Sequence, residues 1–237
     1  MKNDITNYIR DWFINLDINK IPFSFYVIRS SLLNAIDELR PTLKGVVVDL
    51  ACGVMPYKEY LMSPSIERYI GVDLEPTQYH NTVKPDFYWD GNKIPMEDSS
   101  CDFLLATEFL EHYYDTKHIL IEIKRVLKPG GTFFFTVPSI WPLHEVPYDY
   151  HRFTPYFFDL CLKEIHFTSW DIKPLGGYHM SFALSLSLWI DNKLSHKRQR
   201  LIKPILKPLI KRLVEKDKIF NFENGNLYSG LYGFVVK

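Results

Sequence analysis

Apolar residues recur along this chain at strand and helix periods in turn. Over residues 24–39, Ile28, Leu32, Leu33, Ile36 and Leu39 fall at helical spacing, and Pro41 and Gly45 end the run. The β-branched run 46–50 then predicts a first strand, RYIGVDL ending at Leu74 a second, and the short aromatic run 86–90 a third. Contiguous apolar residues over 102–107 predict a buried fourth strand. Ile119, Leu120, Ile123, Val126 and Leu127 mark another helix, which Pro129-Gly130-Gly131 is expected to stop. A fifth strand follows over 132–137. Next comes a helix with Thr154 as N-cap and Pro155 at its first position. FTSWDIKPL and the C-terminal LYGFVVK supply a sixth and a seventh strand.

Strands alternating with helices imply an α/β protein with a mostly parallel sheet and helices on both faces. The expected division is an N-terminal helical cap over 1–44, a core over 45–176 plus 227–237, and a helical insertion over 177–226 before the last strand. Ligands of such sheets bind beyond the carboxyl ends of the strands, so the residues just after each strand carry the chemistry. After the first strand come Asp49 and the small residues Ala51, Cys52 and Gly53, where a ligand can approach the backbone. The G-x-G-x-x-G dinucleotide fingerprint and the P-loop pattern are both absent. Asp73 ends the second strand about 20 residues after that turn, the spacing at which a carboxylate accepts ribose hydroxyls. Asp90 ends the third. Each of these acids taken alone also fits a cap or turn role.

The ordered segments VVVDLACG, YIGVDLEP, WDGNKIPMEDSSCDFLLATEFLEHYYD and EIKRVLKPGGTFFFTVP resemble the class I S-adenosylmethionine-dependent methyltransferases, and among them the quinone-biosynthesis branch. The resemblance covers roughly residues 45–138 and implies a Rossmann-like seven-stranded fold with S-adenosyl-L-methionine as cofactor. It implies that Asp49 and the backbone of Ala51, Cys52 and Gly53 hold the methionine moiety, and that Asp73 with Leu74 takes the ribose. Asp90 and Gly91 would border the adenine, and Thr107 and Glu108 would flank the sulfonium. Ala51 stands where the family usually has glycine, and Met55 where a small residue is common. Alanine fits that turn if its φ is negative. If it does not fit, the alternative is a cofactor-binding or scaffold protein without catalysis.

Methyl transfer to a hydroxyl needs alignment and a base, and histidine is the side chain suited to that near neutral pH. His112, His144 and His151 lie in loops expected to converge. Glu108, Glu111 and His112 form an E-x-x-E-H spacing that a helix would present on one face. This spacing resembles the metal-binding element of small-RNA 2′-O-methyltransferases, yet it serves equally to orient the following loop. No metal is assigned; His112, His144 and Glu111 are the catalytic candidates. The segment 139–158 resembles a loop of methyltransferases encoded with surface-glycan biosynthesis, which makes Trp141, Glu145, Tyr150, His151 and Arg152 candidate acceptor contacts. An arginine there could fork to an anion, or pair with Asp149 and staple the loop.

A hydrophobic content of 46% with 24% charged residues excludes global disorder. Three widely separated cysteines support neither a zinc ribbon nor a disulfide scaffold. The N-terminus lacks a signal-peptide pattern, and the apolar stretch Met180–Ile190 is too short to span a bilayer, so a cytoplasmic setting is expected. The 28 basic and 28 acidic residues cancel only on average. Residues 193–218 hold ten Lys/Arg against Glu215 and Asp217, leaving 18 basic and 26 acidic residues elsewhere. In that segment Leu201, Ile202, Ile205, Leu206, Leu209, Ile210, Leu213 and Val214 form an apolar stripe, with Pro204 and Pro208 predicting a helix start and a bend. Such a helix packs as a lid or rests on an anionic membrane. The expected activity is O-methylation of a small-molecule or glycan-type acceptor, or else of a quinone or other small metabolite, with no nucleic-acid partner.

Overall fold

A computed structural model of the chain describes residues 2–74, 83–218, 220–223 and 225–237. Glu75 and Pro76, which end one of the recognised segments, lie outside the described residues. Seven strands form one sheet: β1 (Gly45–Leu50), β2 (Ile66–Leu74), β3 (Phe87–Trp89), β4 (Cys101–Thr107), β5 (Leu127–Pro138), β6 (Ser169–Pro174) and β7 (Gly230–Val236). Their order is β3-β2-β1-β4-β5-β7-β6, with β7 antiparallel to both its neighbours and the other pairs parallel. The chain therefore leaves β1 toward β2 on one side and returns to β4 on the other, which opens a crevice at the carboxyl ends of β1 and β4.

The helices are α1 (Lys2–Ile9), α2 (Phe23–Leu39), α3 (Lys58–Leu61), α4 (Thr116–Val126), α5 (Pro155–Glu164), α6 (Tyr178–Lys193) and α7 (His196–Lys216). Alternation along the strands divides the core into two layers. Val46, Val48 and Leu50 of β1 face one way, with Ile119, Leu120 and Ile123 of α4 and Phe158 and Leu162 of α5. Val47 faces the other, with Val27, Ile36 and Leu39 of α2, Ala183 and Leu184 of α6, and Ile210 of α7. Thr154 caps α5 by accepting a hydrogen bond from the N–H of Phe157 at 3.4 Å, with Pro155 beginning the helix.

Two details of the expected helices differ. Helix α4 ends at Val126, before Pro129-Gly130-Gly131, and β5 already begins at Leu127. The Pro-Gly-Gly run lies inside the strand, where the pairing with β4 shifts register between Cys101 and Phe103 and Gly130 takes a φ of 75°. Helix α7 runs unbroken from His196 through both Pro204 and Pro208. Both prolines, with Arg200 four residues before the first, lie on the solvent side of the helix. The carbonyls of Arg200 and Pro204, which lose their intrahelical donors, are thus placed where water can reach them.

Phe158 is fully buried and tilts against Phe135 with ring centroids 4.4 Å apart, joining α5 to the middle of β5. Phe158→Ala is expected to cost about 3–5 kcal/mol of stability in urea denaturation, the range for deleting a buried aromatic.

Candidate functional site

The sharp turn after β1 is built from left-handed residues: Ala51 at φ 55°, Gly53 at 50° and Met55 at 48°. Ala51 thus meets the turn in the conformation that glycine adopts freely and alanine does not, contrary to the negative φ that would have let it fit. The turn is held by the N–H of Gly53, which donates to Asp73 Oδ2 at 2.7 Å, and by that of Cys52, which donates to the Val72 carbonyl at 3.2 Å. Asp73 also accepts from the N–H of Leu74 at 2.7 Å. It therefore joins the ends of β1 and β2. Nothing lies within 4 Å of where a Gly53 side chain would begin, so the turn opens to a space that a ligand can enter.

Asp49 is buried behind this turn and accepts a hydrogen bond from the Tyr69 hydroxyl at 2.7 Å. Burial pushes its carboxyl up to about 7, against the opposing pull of that hydroxyl. Cys52 is buried too, and desolvation together with the neighbouring Asp49 and Asp73 pushes its thiol far up, which makes it packing and not a nucleophile. Leu74 is exposed and lies 3.7 Å from where a Gly91 side chain would begin, so the ends of β2 and β3 meet there. Asp90 points into its own loop, where it accepts from the N–H groups of Asn92 and Lys93 at 2.8 and 3.2 Å, and these hold its carboxyl below the usual range. Tyr113, stacked on Trp89 at 5.7 Å and 8°, donates to the Gly91 carbonyl at 2.6 Å and props that loop open.

Thr107 ends β4 opposite Thr136 of β5. Glu108 then turns at a φ of 52°, its N–H donating to the Thr136 carbonyl and hydroxyl, both at 3.0 Å. The Thr136 hydroxyl donates back to Glu108 Oε1 at 2.9 Å. Desolvation pushes the Glu108 carboxyl up to about 7. The E-x-x-E-H run is not a helix face: only Leu110–His112 make a single tight turn, because Glu108 and Phe109 leave helical geometry.

That turn nevertheless brings the catalytic candidates together. Ligand atoms of Glu111, His112 and His144 lie within 4.8 Å of one another, and the two imidazole rings pack edge to face at 4.6 Å. Glu111 is fully buried with no hydrogen-bond partner on either carboxyl oxygen, and desolvation together with Glu108 drives it well above the usual carboxyl range. His112 Nδ1 faces the Tyr148 carbonyl at 2.7 Å, and His144 Nδ1 faces the Pro142 carbonyl at 3.2 Å and Asp149 Oδ2 at 3.3 Å. These partners can only accept, so Nδ1 carries the hydrogen in both rings and each Nε2 keeps a lone pair. His112 Nε2 sits 3.7 Å from Glu111, and burial lowers its basicity, keeping the ring neutral near pH 7.

The loop over 139–153 is pinned onto this turn by the N–H groups of Tyr150 and His151, which donate to the Glu111 carbonyl at 2.9 and 3.2 Å. His151 Nε2 meets the Tyr114 carbonyl at 3.0 Å. Arg152 forks onto Asp149 at 2.6 and 2.9 Å and reaches the Trp141 carbonyl at 3.2 Å, so its guanidinium staples the loop and is not held ready for an anionic ligand. The same fork holds the Asp149 carboxyl well below its usual range. Trp141 packs edge to face with Phe25 of α2 at 5.5 Å, tying the loop to the N-terminal helices. Tyr150 leans on Tyr114 at 5.6 Å, and Glu145 is exposed at a φ of 50°. Tyr69 and Thr136 position the site without having been singled out in the sequence, whereas the pairing of Asp149 with Arg152 was one of its two readings. The position of Thr136 at the end of a strand was the one available signal for it.

Residues 48–135 match a methyltransferase-domain family model. The seven-stranded order is that of a Rossmann-like methyltransferase fold. A probable phthiotriol/phenolphthiotriol dimycocerosates methyltransferase 2 from Mycobacterium ulcerans (strain Agy99) is 33% identical over 110 residues, covering 42% of this chain and 41% of that protein. The chain spans less than half the length of the curated relatives it matches. Among solved structures, a methyltransferase from Thermotoga maritima described as a possible histamine N-methyltransferase has a TM-score of 0.57 at 16% identity, over 97% of this chain and 99% of that one. A Haemonchus contortus phosphoethanolamine N-methyltransferase 2 bound to S-adenosyl-L-methionine has a TM-score of 0.54 at 16% identity, over 86% of this chain and 51% of that one. The matched residues include the carboxyl ends of β1 to β4.

The turn after β1 contains two residues outside the expected glycine pattern, and they differ in consequence. Ala51 is only partly buried, whereas Met55 is buried, and its sulfur lies 2.7 Å from where a Gly71 side chain would begin. Ala51→Gly is expected to raise stability by about 1 kcal/mol by removing left-handed strain. Met55→Gly is expected to lower it by about 2 kcal/mol or more through lost packing. Chemical denaturation of the two variants measures both.

Proposed function

We propose that this protein transfers a methyl group from S-adenosylmethionine to an oxygen of a small-molecule or glycan-type acceptor. The residues present fit that cofactor because the acids at the strand ends, Asp49 and Glu108, are carboxyls whose burial outweighs the opposing pull of Lys58 and Arg152, beyond a turn that opens at Gly53. A cationic ligand relieves that cost. Asp49 and the Ala51–Gly53 backbone would hold the methionine part and Asp73 the ribose. Leu74 and Gly91 would border the adenine, since Asp90 is engaged by its own turn. Thr107 and Glu108 would flank the sulfonium. When bound, the cofactor supplies an electrophilic methyl group on a charged sulfur.

The observation that carries the oxygen assignment is the cluster of Glu111, His112 and His144. A neutral amine needs no base to attack a methyl group, whereas a hydroxyl gives up its proton as it attacks. The free Nε2 lone pairs of His112 and His144 supply two acceptors for that proton, and the Nδ1 contacts hold the rings in the orientation that presents them. The acceptor would enter between this cluster and the rim formed by Tyr148 and Tyr150. The names of the relatives carry different acceptors, so the acceptor class rests on this loop.

A second reading has the cluster holding a divalent transition metal that lowers the pKa of the acceptor hydroxyl. It is favoured by Glu111, whose two buried oxygens have no hydrogen-bond partner, and by two imidazoles already fixed through Nδ1. Cobalt(II) added to the purified protein is expected to give visible ligand-field bands that Glu111→Gln and His144→Ala abolish, and their absence in the wild type rejects the metal.

Calorimetric titration with S-adenosylmethionine is expected to show binding that Asp73→Ala weakens strongly, and no binding at millimolar cofactor refutes the function. Because Asp49 and Glu108 hold protons near pH 7 and a cationic ligand favours their ionised forms, binding releases protons. Affinity is therefore expected to rise, by about tenfold, from pH 6 to pH 8. Pairs of buffers with different ionisation enthalpies read the proton release directly. With a panel of hydroxyl acceptors, His112→Ala and His144→Ala are expected to lower kcat by roughly 10²- to 10⁴-fold while leaving cofactor affinity unchanged. Loss of cofactor affinity in either variant would contradict the base assignment.

A further inference from the structure

We propose that the hairpin of α6 and α7 docks on an anionic lipid bilayer through the outward ridge of α7. The apolar stripe of α7 is divided between two faces. Ile202, Leu206, Ile210, Leu213 and Val214 turn inward and pack on the core. Leu201, Ile205 and Leu209, one helical turn apart, face out with exposures of 72%, 74% and 41%. A lid helix needs only its inner face to be apolar, so packing against the catalytic domain leaves this ridge unexplained.

The ridge is bounded by cations in register with it. Arg198 precedes Leu201 by three residues, and Arg212 and Lys216 follow Leu209 by three and seven, which continues the same helical line at both ends. Lys197 and Lys211 flank it. All five are exposed, and none pairs with a carboxylate among the described residues. Lys203 does find one, Asp191 at 2.7 Å, because it points inward. Three aliphatic side chains span about 12 Å of helix at 1.5 Å per residue. Three such side chains between arginines make a surface that sinks to the level of the lipid headgroups while the guanidinium groups reach phosphate. Helix α6 adds an aromatic line, Tyr178, Phe182 and Trp189, all exposed at helical spacing, and aromatic rings of this kind favour the membrane interface.

Charge selects the occupant. Two copies of this face would bring like charges together, and nucleic acid offers nothing to an aliphatic ridge. An anionic bilayer satisfies both features at once. The hairpin is anchored for such contact: Asp191 Oδ2 accepts from the N–H and hydroxyl of Ser24 at 2.9 and 2.8 Å, and Asp217 accepts from the N–H groups of Gly177 and Met180 at 2.6 and 3.1 Å. None of the helices among the described residues is long and apolar enough to cross a membrane, so the contact lies at the surface.

The test is cosedimentation of the full chain with two sets of vesicles, phosphatidylcholine alone and phosphatidylcholine with about one third phosphatidylglycerol. The wild type is expected to bind the anionic vesicles at least tenfold more tightly than the neutral ones, and less as salt rises. The triple variant Leu201→Ser/Ile205→Ser/Leu209→Ser, altered only at solvent-facing positions, is expected to keep its melting temperature and lose at least tenfold in vesicle binding. Lys197→Glu/Arg198→Glu/Arg212→Glu is expected to lose the preference for anionic vesicles. Absence of vesicle binding by the folded wild type overturns the proposal, as does equal binding by the serine variant. It also fails if light scattering shows a dimer that the serine substitutions dissociate, since the ridge then serves a second copy.

Discussion

The carboxyl edge of the sheet gathers acids that water scarcely reaches, and their desolvation governs how the site is arranged. Asp49 ends β1 inside the core, Asp73 closes the turn that follows it, and Glu108 and Glu111 stand after β4. Placing four carboxyl groups in one crevice costs free energy unless each finds hydrogen-bond donors, a proton or a cation. Asp73 takes backbone N–H groups, Asp49 and Glu108 take one hydroxyl each and hold protons near neutrality, and Glu111 has no donor. The residual demand is graded, and it is greatest where a cationic cofactor and a proton-transferring or metal-binding cluster would act. A fold selected for stability alone would not keep Glu111 dry and unpartnered.

The architecture was legible because its determinants are local. Strand and helix periods alternate without long interruptions, and each of the first four strands ends at or beside an acid, so seven strands and helices on both faces could be read from residue order. The turn after β1 shows where local reading stops. Its residues announce a tight turn, but the sign of φ at Ala51 depends on how Gly53 and Cys52 are tied to β2, contacts made across about twenty residues of sequence. Helix α7 shows the same limit in reverse. Proline argues against a continuous helix only where the lost hydrogen bonds cannot be met by water, and exposure is a property of the packed molecule.

Side-chain partnership was the least legible part of the site. Asp90 and Arg152 have the chemistry of ligand contacts, yet each is engaged within its own loop, Asp90 by two N–H groups and Arg152 by Asp149. Short range favours such pairs, since a residue three positions away needs little chain ordering to reach. His112 and His144 escape that capture because the carbonyls that meet them, Tyr148 from a distant part of the chain and Pro142 from two residues away, bind only one ring nitrogen. What residue type suggested for all of these side chains, geometry leaves available in only some.

The loop over 139–153 combines these effects in a way that bears on how an acceptor is met. Its Asp149 turns inward, the side chain 2% exposed beneath the arginine fork. Leu143, Val146 and Tyr148 point outward instead. An ordinary surface loop does the opposite, because apolar tips gain nothing from water. The inversion follows from the pinning, since a backbone that gives the carbonyls of Pro142 and Tyr148 to two histidines cannot also bury the side chains between them. The result is a polar cluster under an apolar rim, which under the proposed function would admit an acceptor by a polar end while its less polar body rests outside. The acids stay at the strand ends, where a sulfonium would be held under the proposed function, and the exposed cations of α7 lie on a separate helix. A neutral net charge is thus the sum of two surfaces kept apart by the fold.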